Sequence, residues 1–386
     1  MGYNVMRNFK DIKRIIIKVG SSSLVNKDLS INQPMIVNIM GSFKKLNDRG
    51  ISVALVSSGA IASGMHELNM KKKPTAMSLK QACAAIGQAK LMEAYNKAAE
   101  IYGLKTGQIL VNHDDFQIRK RMTYLSNTLD SMFENNIIPI INENDALSVD
   151  EIKVGDNDTL ASLISPMINA DLLILFSDID GLYDKNPKLY DDAKLIPIVE
   201  HIGDDILSMA GDKTSNVGTG GMITKINAAM SATSVGINMI ICNSNQIENL
   251  CDIVSGNDIG TLFLPQENKI PSRIHWMIYN TNPEGLIVID NGLVKKLHEN
   301  KASILPMGII GVEGEFLKDS VVSVVDENRQ IIAKGITRFS SFEIKIVLKK
   351  TTKEMKEILN YTGKPEIIHA DNLVVFGGDL YGYNIK

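Results

Sequence analysis

Short runs that are apolar along their whole length punctuate the first half of the chain: Ile15-Ile16-Ile17, Val53-Ala54-Leu55-Val56, Ile137-Ile138-Pro139-Ile140-Ile141 and Leu172-Leu173-Ile174-Leu175-Phe176. A strand with one face in water alternates apolar and polar residues; these do not, so each needs cover on both faces. Between them lie stretches with helical spacing. Residues 34–48 put Ile36, Ile39, Met40, Phe43 and Leu46 on one face ahead of Gly50, and residues 78–102 are Ala-rich with Gly103 beyond. Residues 124–135 turn Leu125, Leu129, Met132 and Phe133 inward, and a further helix is expected from Thr159 to about Asn169. Strand and helix in alternation predict an α/β fold with a mainly parallel sheet covered on both faces. In such a sheet ligands gather at the carboxyl ends of the strands.

Those ends carry chemistry. The first run leads through Lys18 into Gly20-Ser21-Ser22-Ser23, a turn whose N–H groups and hydroxyls suit phosphate while the lysine supplies charge. A lysine snorkelling from a strand end has the same sequence. The turn is not the G-x-x-x-x-G-K-[ST] phosphate loop. The second run opens into Ser57-Ser58-Gly59-Ala60, small residues that let a ligand approach closely. Ile141 is followed by Asn142-Glu143-Asn144-Asp145, and Gly155-Asp156-Asn157-Asp158 repeats the amide and carboxylate pattern, so two polar clusters can face one another across a loop. Either cluster alone is also an ordinary turn or helix cap. Further on, Leu172 to Phe176 ends in Ser177-Asp178. Gly218-Thr219-Gly220-Gly221-Met222-Ile223-Thr224-Lys225 reads as a glycine-rich turn ahead of a helix from Ile226 to Ser234. Such a turn can wrap a nucleotide's phosphates while Lys225 approaches the transferring group.

In order along the chain, I-I-I-K-V-G-S-S (15–22), V-S-S-G-A-I (56–61), P-I-I-N-E-N-D-A (139–146), E-I-K-V-G-D-N-D (151–158), S-D-I-D-G-L-Y (177–183) and A-G-D-K-T-S-N-V-G-T-G-G-M-I-T-K (210–225) resemble the amino acid kinase family. The N-E-N-D and K-V-G-D-N-D pair and the G-T-G-G-M loop separate the chain from carbamate, uridylate and aspartate kinases. The resemblance implies a three-layer αβα sandwich that uses ATP and Mg²⁺ to phosphorylate the side-chain carboxylate of L-glutamate. The product would be glutamyl 5-phosphate, in the first step of proline synthesis. By resemblance, Lys18 and Lys225 neutralise phosphoryl oxygens and Asp158 holds both lysines. Asp158 has no use as a base, because the nucleophile is already ionised at neutral pH. Ser58, Asp145 and Asn157 are implied to hold glutamate, with Asp145 on its ammonium. Lys18, Gly20, Ser21, Ser177 and Asp178, with Thr219, Gly220, Gly221, Met222, Ile223, Thr224 and Lys225, are implied to hold ATP. No stretch has the look of a dedicated metal cage, so Mg²⁺ is expected to bridge the phosphates. The family further implies inhibition by proline overlapping the glutamate site, a homo-oligomer, and a glutamyl phosphate reductase as downstream partner.

After Leu264 the texture changes. Prolines and polar residues suggest a linker, and short β-type runs at 285–289, 321–325 and 331–335 with intervening glycines predict a small β-barrel. Ser303 to Ile309 and G-I-T-R-F-S-S (335–341) resemble a PUA domain, a fold that elsewhere binds RNA. The expected organisation is a kinase domain at 1–268, a linker at 269–282, a PUA domain at 283–376 and a tail at 377–386. From Glu284 to Phe376, 13 Lys plus Arg balance 13 Asp plus Glu. A neutral module is a poor binder of RNA phosphates, which favours regulation or assembly. The whole chain, with 41 basic and 44 acidic residues and a net charge of −3, supports neither a nucleic-acid nor a membrane partner. Cys83, Cys242 and Cys251 lack metal-ligand spacing and fit reduced thiols, and no signal peptide opens the chain, so a cytoplasmic location is expected. Two rival readings are an RNA-associated protein whose kinase half has lapsed and a kinase of aspartate or a nucleotide. Retention of both lysines and every polar site residue argues against the first.

Overall fold

The computed structural model describes residues 7, 9, 11–147, 157–210, 221–266, 269–299 and 302–376. The chain divides into two compact units, Met1–Lys269 and Ile270–Lys386.

In the first unit eight strands form one sheet: β1 (Arg14–Val19), β2 (Ser52–Ser57), β3 (Lys105–Val111), β4 (Ile137–Glu143), β5 (Leu172–Ser177), β6 (Ile198–Val199), β7 (Asn238–Asn243) and β8 (Thr261–Phe263). Their order is β3-β4-β2-β1-β5-β7-β8-β6, and only β7 with β8 runs antiparallel. β1 lies near the middle, with Ile17 registered between Leu55 of β2 and Ile174 of β5. Ile15, Ile16 and Ile17 are all 0 % exposed, so consecutive residues on opposite faces are both buried, as an uninterrupted apolar run requires.

Two element boundaries differ from the sequence reading. The helix expected to reach Asn169 spans Asn157–Ile164, because Pro166 has no N–H with which to continue the ladder. The helix expected from Ile226 begins four residues earlier and spans Met222–Ser234, which brings Lys225 into its first turn.

A close crossing of two helices shapes the site. A β-carbon at Gly64, in Ala60–Glu67, would stand 1.8 Å from the Cys83 carbonyl oxygen, and one at Gly87, in Met77–Ile101, 1.8 Å from the Ala60 carbonyl oxygen. Only glycine at both positions lets the two backbones meet. The shorter helix is entered through Gly59 at φ +98°, a left-handed turn that sends the chain sharply away from the end of β2.

The second unit holds β9 (Leu286–Ile289), β10 (Ile309–Glu313), β11 (Val321–Val325), β12 (Ile331–Ile336) and β13 (Leu373–Val375), in the order β10-β9-β11-β12-β13. Its core includes Ile287, Val322, Val324, Phe339 and Ile368. Residues read from sequence as a linker are largely helical, over Ser272–His275 and Trp276–Asn280, and Met277 is fully buried against Val321 and Val374. The 377–386 tail lies outside the described residues.

Candidate active site

At the carboxyl ends of the strands the apolar runs give way to charge. Lys18 leaves β1 with its Nζ 2.6 Å from Asp158 Oδ1, and Lys225 places its Nζ 2.9 Å from Asp158 Oδ2. Asp158 is wholly buried in the first turn of Asn157–Ile164, and Thr224 Oγ1 donates to its Oδ2 at 3.4 Å. Burial would raise the Asp158 carboxyl, but the two ammonium groups outweigh it and hold the carboxyl below its ordinary value. One carboxylate between two ammonium groups leaves a formal excess of one positive charge. Such a centre attracts an anion and cannot readily take a proton.

A ladder of amides stands beside this triad. Asn157 Nδ2 donates to the Ser57 carbonyl at 2.7 Å, to Ser58 Oγ at 2.7 Å and to Asn142 Oδ1 at 3.1 Å. Asn142 Nδ2 in turn donates to Gln88 Oε1 at 3.0 Å. Below them Ser57 Oγ and the buried Tyr95 hydroxyl lie 2.9 Å apart. The ladder borders a cavity of about 280 Å³ whose lining includes Ala60, Gln88, Gln108, Glu143, Asn144 and Asp145. That volume is near the lower limit of small-ligand pockets, about 300 Å³, and suits a metabolite better than a nucleotide.

The sheet order separates the two sides of the triad. The amide ladder draws on β2 and β4 on one side of β1, whereas Ser177, the last residue of β5, and Asp178 after it lie on the other. Ser177 Oγ donates to Asp178 Oδ1 at 3.1 Å. Gly20 and Ser21 form the turn after β1, where a β-carbon at Gly20 would lie 3.7 Å from Lys18 Nζ. Gly221 caps Met222–Ser234, and no heavy atom of the described residues beyond its chain neighbours lies within 4 Å of where its β-carbon would be. Met222, Ile223 and Thr224 form its first turn beside Lys225. Thr219 and Gly220 lie outside the described residues.

Sequence reasoning assigned no role to Gln88, Gln108 or Asn142. Gln88 carried a signal all the same: with Ala84, Gly87 and Leu91 it occupies the buried stripe of an Ala-rich helix, a poor place for an unneeded amide.

A family model described as "Amino acid kinase family" matches residues 13–243, which include all the strands and side chains of the triad and the ladder. The chain belongs to the amino acid kinase family. A PUA domain model matches residues 285–359 of the second unit. A glutamate 5-kinase of Caldanaerobacter subterraneus subsp. tengcongensis is 43% identical over 371 residues, covering 96% of this chain and 100% of the relative. A glutamate 5-kinase of Geobacter sulfurreducens is 41% identical over 364 residues, covering 94% of this chain and 98% of the relative.

Proposed function

We propose that this chain transfers the γ-phosphoryl group of ATP to the side-chain carboxylate of L-glutamate, forming glutamyl 5-phosphate for proline synthesis. The observation that carries this reading is the buried Lys18–Asp158–Lys225 triad, whose neighbour Asn157 is joined through Asn142 to Gln88 on the wall of the 280 Å³ cavity. Attack by a carboxylate on a phosphoryl group brings two anions together, so neutralisation and positioning have to do the catalysis. In this reading Lys18 and Lys225 neutralise the phosphoryl oxygens and Asp158 fixes their geometry. Ser58, Asn157 and Asp145 hold glutamate. Lys18, Gly20, Ser21, Ser177, Asp178 and the segment Thr219 to Lys225 hold ATP, with the amino end of Met222–Ser234 suited to its phosphates.

Among the described residues no group of three His, Cys, Asp or Glu could hold a metal, and both Asp158 oxygens are engaged by lysines. These residues do not fit a resident Mg²⁺, so magnesium enters this reading as part of the nucleotide substrate. Proline shares the ammonium and α-carboxylate of glutamate, and we place its inhibition in the same cavity. A homo-oligomer, a downstream glutamyl phosphate reductase and a regulatory or assembly role for a PUA domain at 283–376, beyond a kinase domain at 1–268, complete the proposal. Among the described residues no helix is long and apolar enough to cross a membrane, and we place the protein in the cytoplasm.

Purified protein with ATP, Mg²⁺ and hydroxylamine, offered L-glutamate, L-aspartate, carbamate and UMP, tests the reading. Hydroxamate from glutamate alone, suppressed by proline, is expected. Folded protein that binds ATP and turns over none of the four would overturn it.

A further inference from the structure

The amide ladder determines its own orientation, and that orientation leaves one donor over. Asn142 Oδ1 accepts from the Glu143 backbone N–H at 2.9 Å and from Asn157 Nδ2 at 3.1 Å, so the other arm of Asn142 is its NH₂ group. That group donates to Gln88 Oε1 at 3.0 Å, which leaves Gln88 Nε2 as a donor. Gln88 is 7 % exposed and its Nε2, buried, has no hydrogen-bond partner among the described residues. Buried amide donors without partners are rare because they lose the hydrogen bonds that water would have given them. Gln88 also lines the 280 Å³ cavity together with Asp145. The Gly64 and Gly87 crossing seats its helix against Ala60–Glu67 and so carries the amide to this wall.

We propose that Gln88 recognises the amino-acid end of the substrate, its Nε2 donating to the α-carboxylate of L-glutamate. The inference rests on the reading that glutamate is the acceptor. In that reading the reacting carboxylate lies at Lys18 and Lys225, which leaves the ammonium and α-carboxylate for the cavity. Asp145 suits the ammonium. A wall that also contains Glu143 repels a second carboxylate unless a donor faces it, and Gln88 is a buried donor on that wall.

Two variants separate recognition from support. Gln88→Glu keeps an oxygen for Asn142 but turns the leftover donor into an acceptor, so the ladder survives while the substrate contact reverses. Gln88→Met keeps the size of the side chain and removes both the donor and the oxygen that accepts from Asn142, so it reports loss of the donor together with loss of support for the ladder. Each is compared with the parent enzyme for the KM of L-glutamate, the KM of ATP, thermal midpoint, and use of the α-amide of glutamate in place of glutamate. The expected result is a glutamate KM raised at least about tenfold in both variants, more in Gln88→Glu, with ATP KM close to the parent's in both and a lower thermal midpoint in Gln88→Met, where Asn142 loses its acceptor. In Gln88→Glu the preference for glutamate over its α-amide should also fall at least about tenfold, because the amide NH₂ can donate to the introduced carboxylate. A glutamate KM within about twofold of the parent in a folded Gln88→Glu protein would overturn the inference, as would an unchanged preference between acid and amide. Absence of glutamate turnover in the parent, measured first, would sink the reading on which the inference rests.

Discussion

The two units bury lysine in different ways. Lys18 and Lys225 of the first unit, 8 % and 4 % exposed, share the carboxylate of Asp158. Lys334 of the second, 7 % exposed on β12, donates instead to the Thr281 carbonyl and, at 3.4 Å, to that of Ile278, at the end of the helical segment Trp276–Asn280. Its burial pushes the ammonium down from 10.5 to about 8. Carbonyl dipoles at a helix end suffice to anchor an amine but repay only part of the cost of desolvating its charge. A full negative charge repays more. In the proposed function the first arrangement serves chemistry; the second tethers a helix to a sheet.

Four experiments bear on that contrast. Asp158→Asn removes the only anion of the triad and leaves two buried cations facing each other. It should cost about 3–5 kcal/mol in chemical denaturation, together with nearly all turnover. Because the folded Asp158 carboxyl lies below its ordinary value of 3.8, its stabilising contribution is complete above that pH and lost as pH falls through the lower folded value. The deficit of the variant should therefore shrink in acid, and a deficit that stays constant down to pH about 2 would refute the charge account.

Lys225→Ala leaves Asp158 its contact with Lys18, so the fold should survive while kcat falls at least ~10²-fold. Near-normal turnover would remove Lys225 from the mechanism. For Lys334 the sign reverses. The folded pKa, about 8, lies below the unfolded 10.5, so the penalty of the buried charge is fully present below pH 8 and is relieved as pH rises through that window. Relative to Lys334→Met, the parent should gain stability between pH 8 and 10.5, by no more than about 3 kcal/mol. A stability difference independent of pH would make the two kinds of buried lysine equivalent after all. The smallest effect is expected from Asp145→Ala, which should raise the glutamate KM roughly tenfold with little change in kcat, since a half-buried charged hydrogen bond is worth about 1.5 kcal/mol. Steady-state kinetics giving the parent's KM would dismiss the ammonium role.

Much of the first unit was legible because local pattern and burial agree there. A short apolar run without alternation favours a strand covered on both faces, and β1, β2, β4 and β5 appear where the runs stand. Lys18 was legible because a charge that interrupts such a run needs a reason. In the second unit the β-type runs marked strands, but the helix at 272–280 was hidden among prolines and polar residues whose partners, Val321 and Val374, lie far along the chain.

The sequence by itself determined the mainly parallel sheet and drew attention to its strand ends, Lys18 among them, because each depends on neighbours within a few residues; the grouping of Lys18, Lys225 and Asp158 came from the resemblance to a family. That Asp158 binds both lysines was implied by resemblance and is seen as contacts of 2.6 and 2.9 Å; the tertiary structure alone decided that Asn157 reaches Ser58 and Asn142, and that Gln88 faces a cavity. Those contacts join residues 15 to 140 positions apart. Their geometry depends on where β1 sits between β2 and β5 and on how closely the two glycines let the helices cross, and no local pattern carries that information.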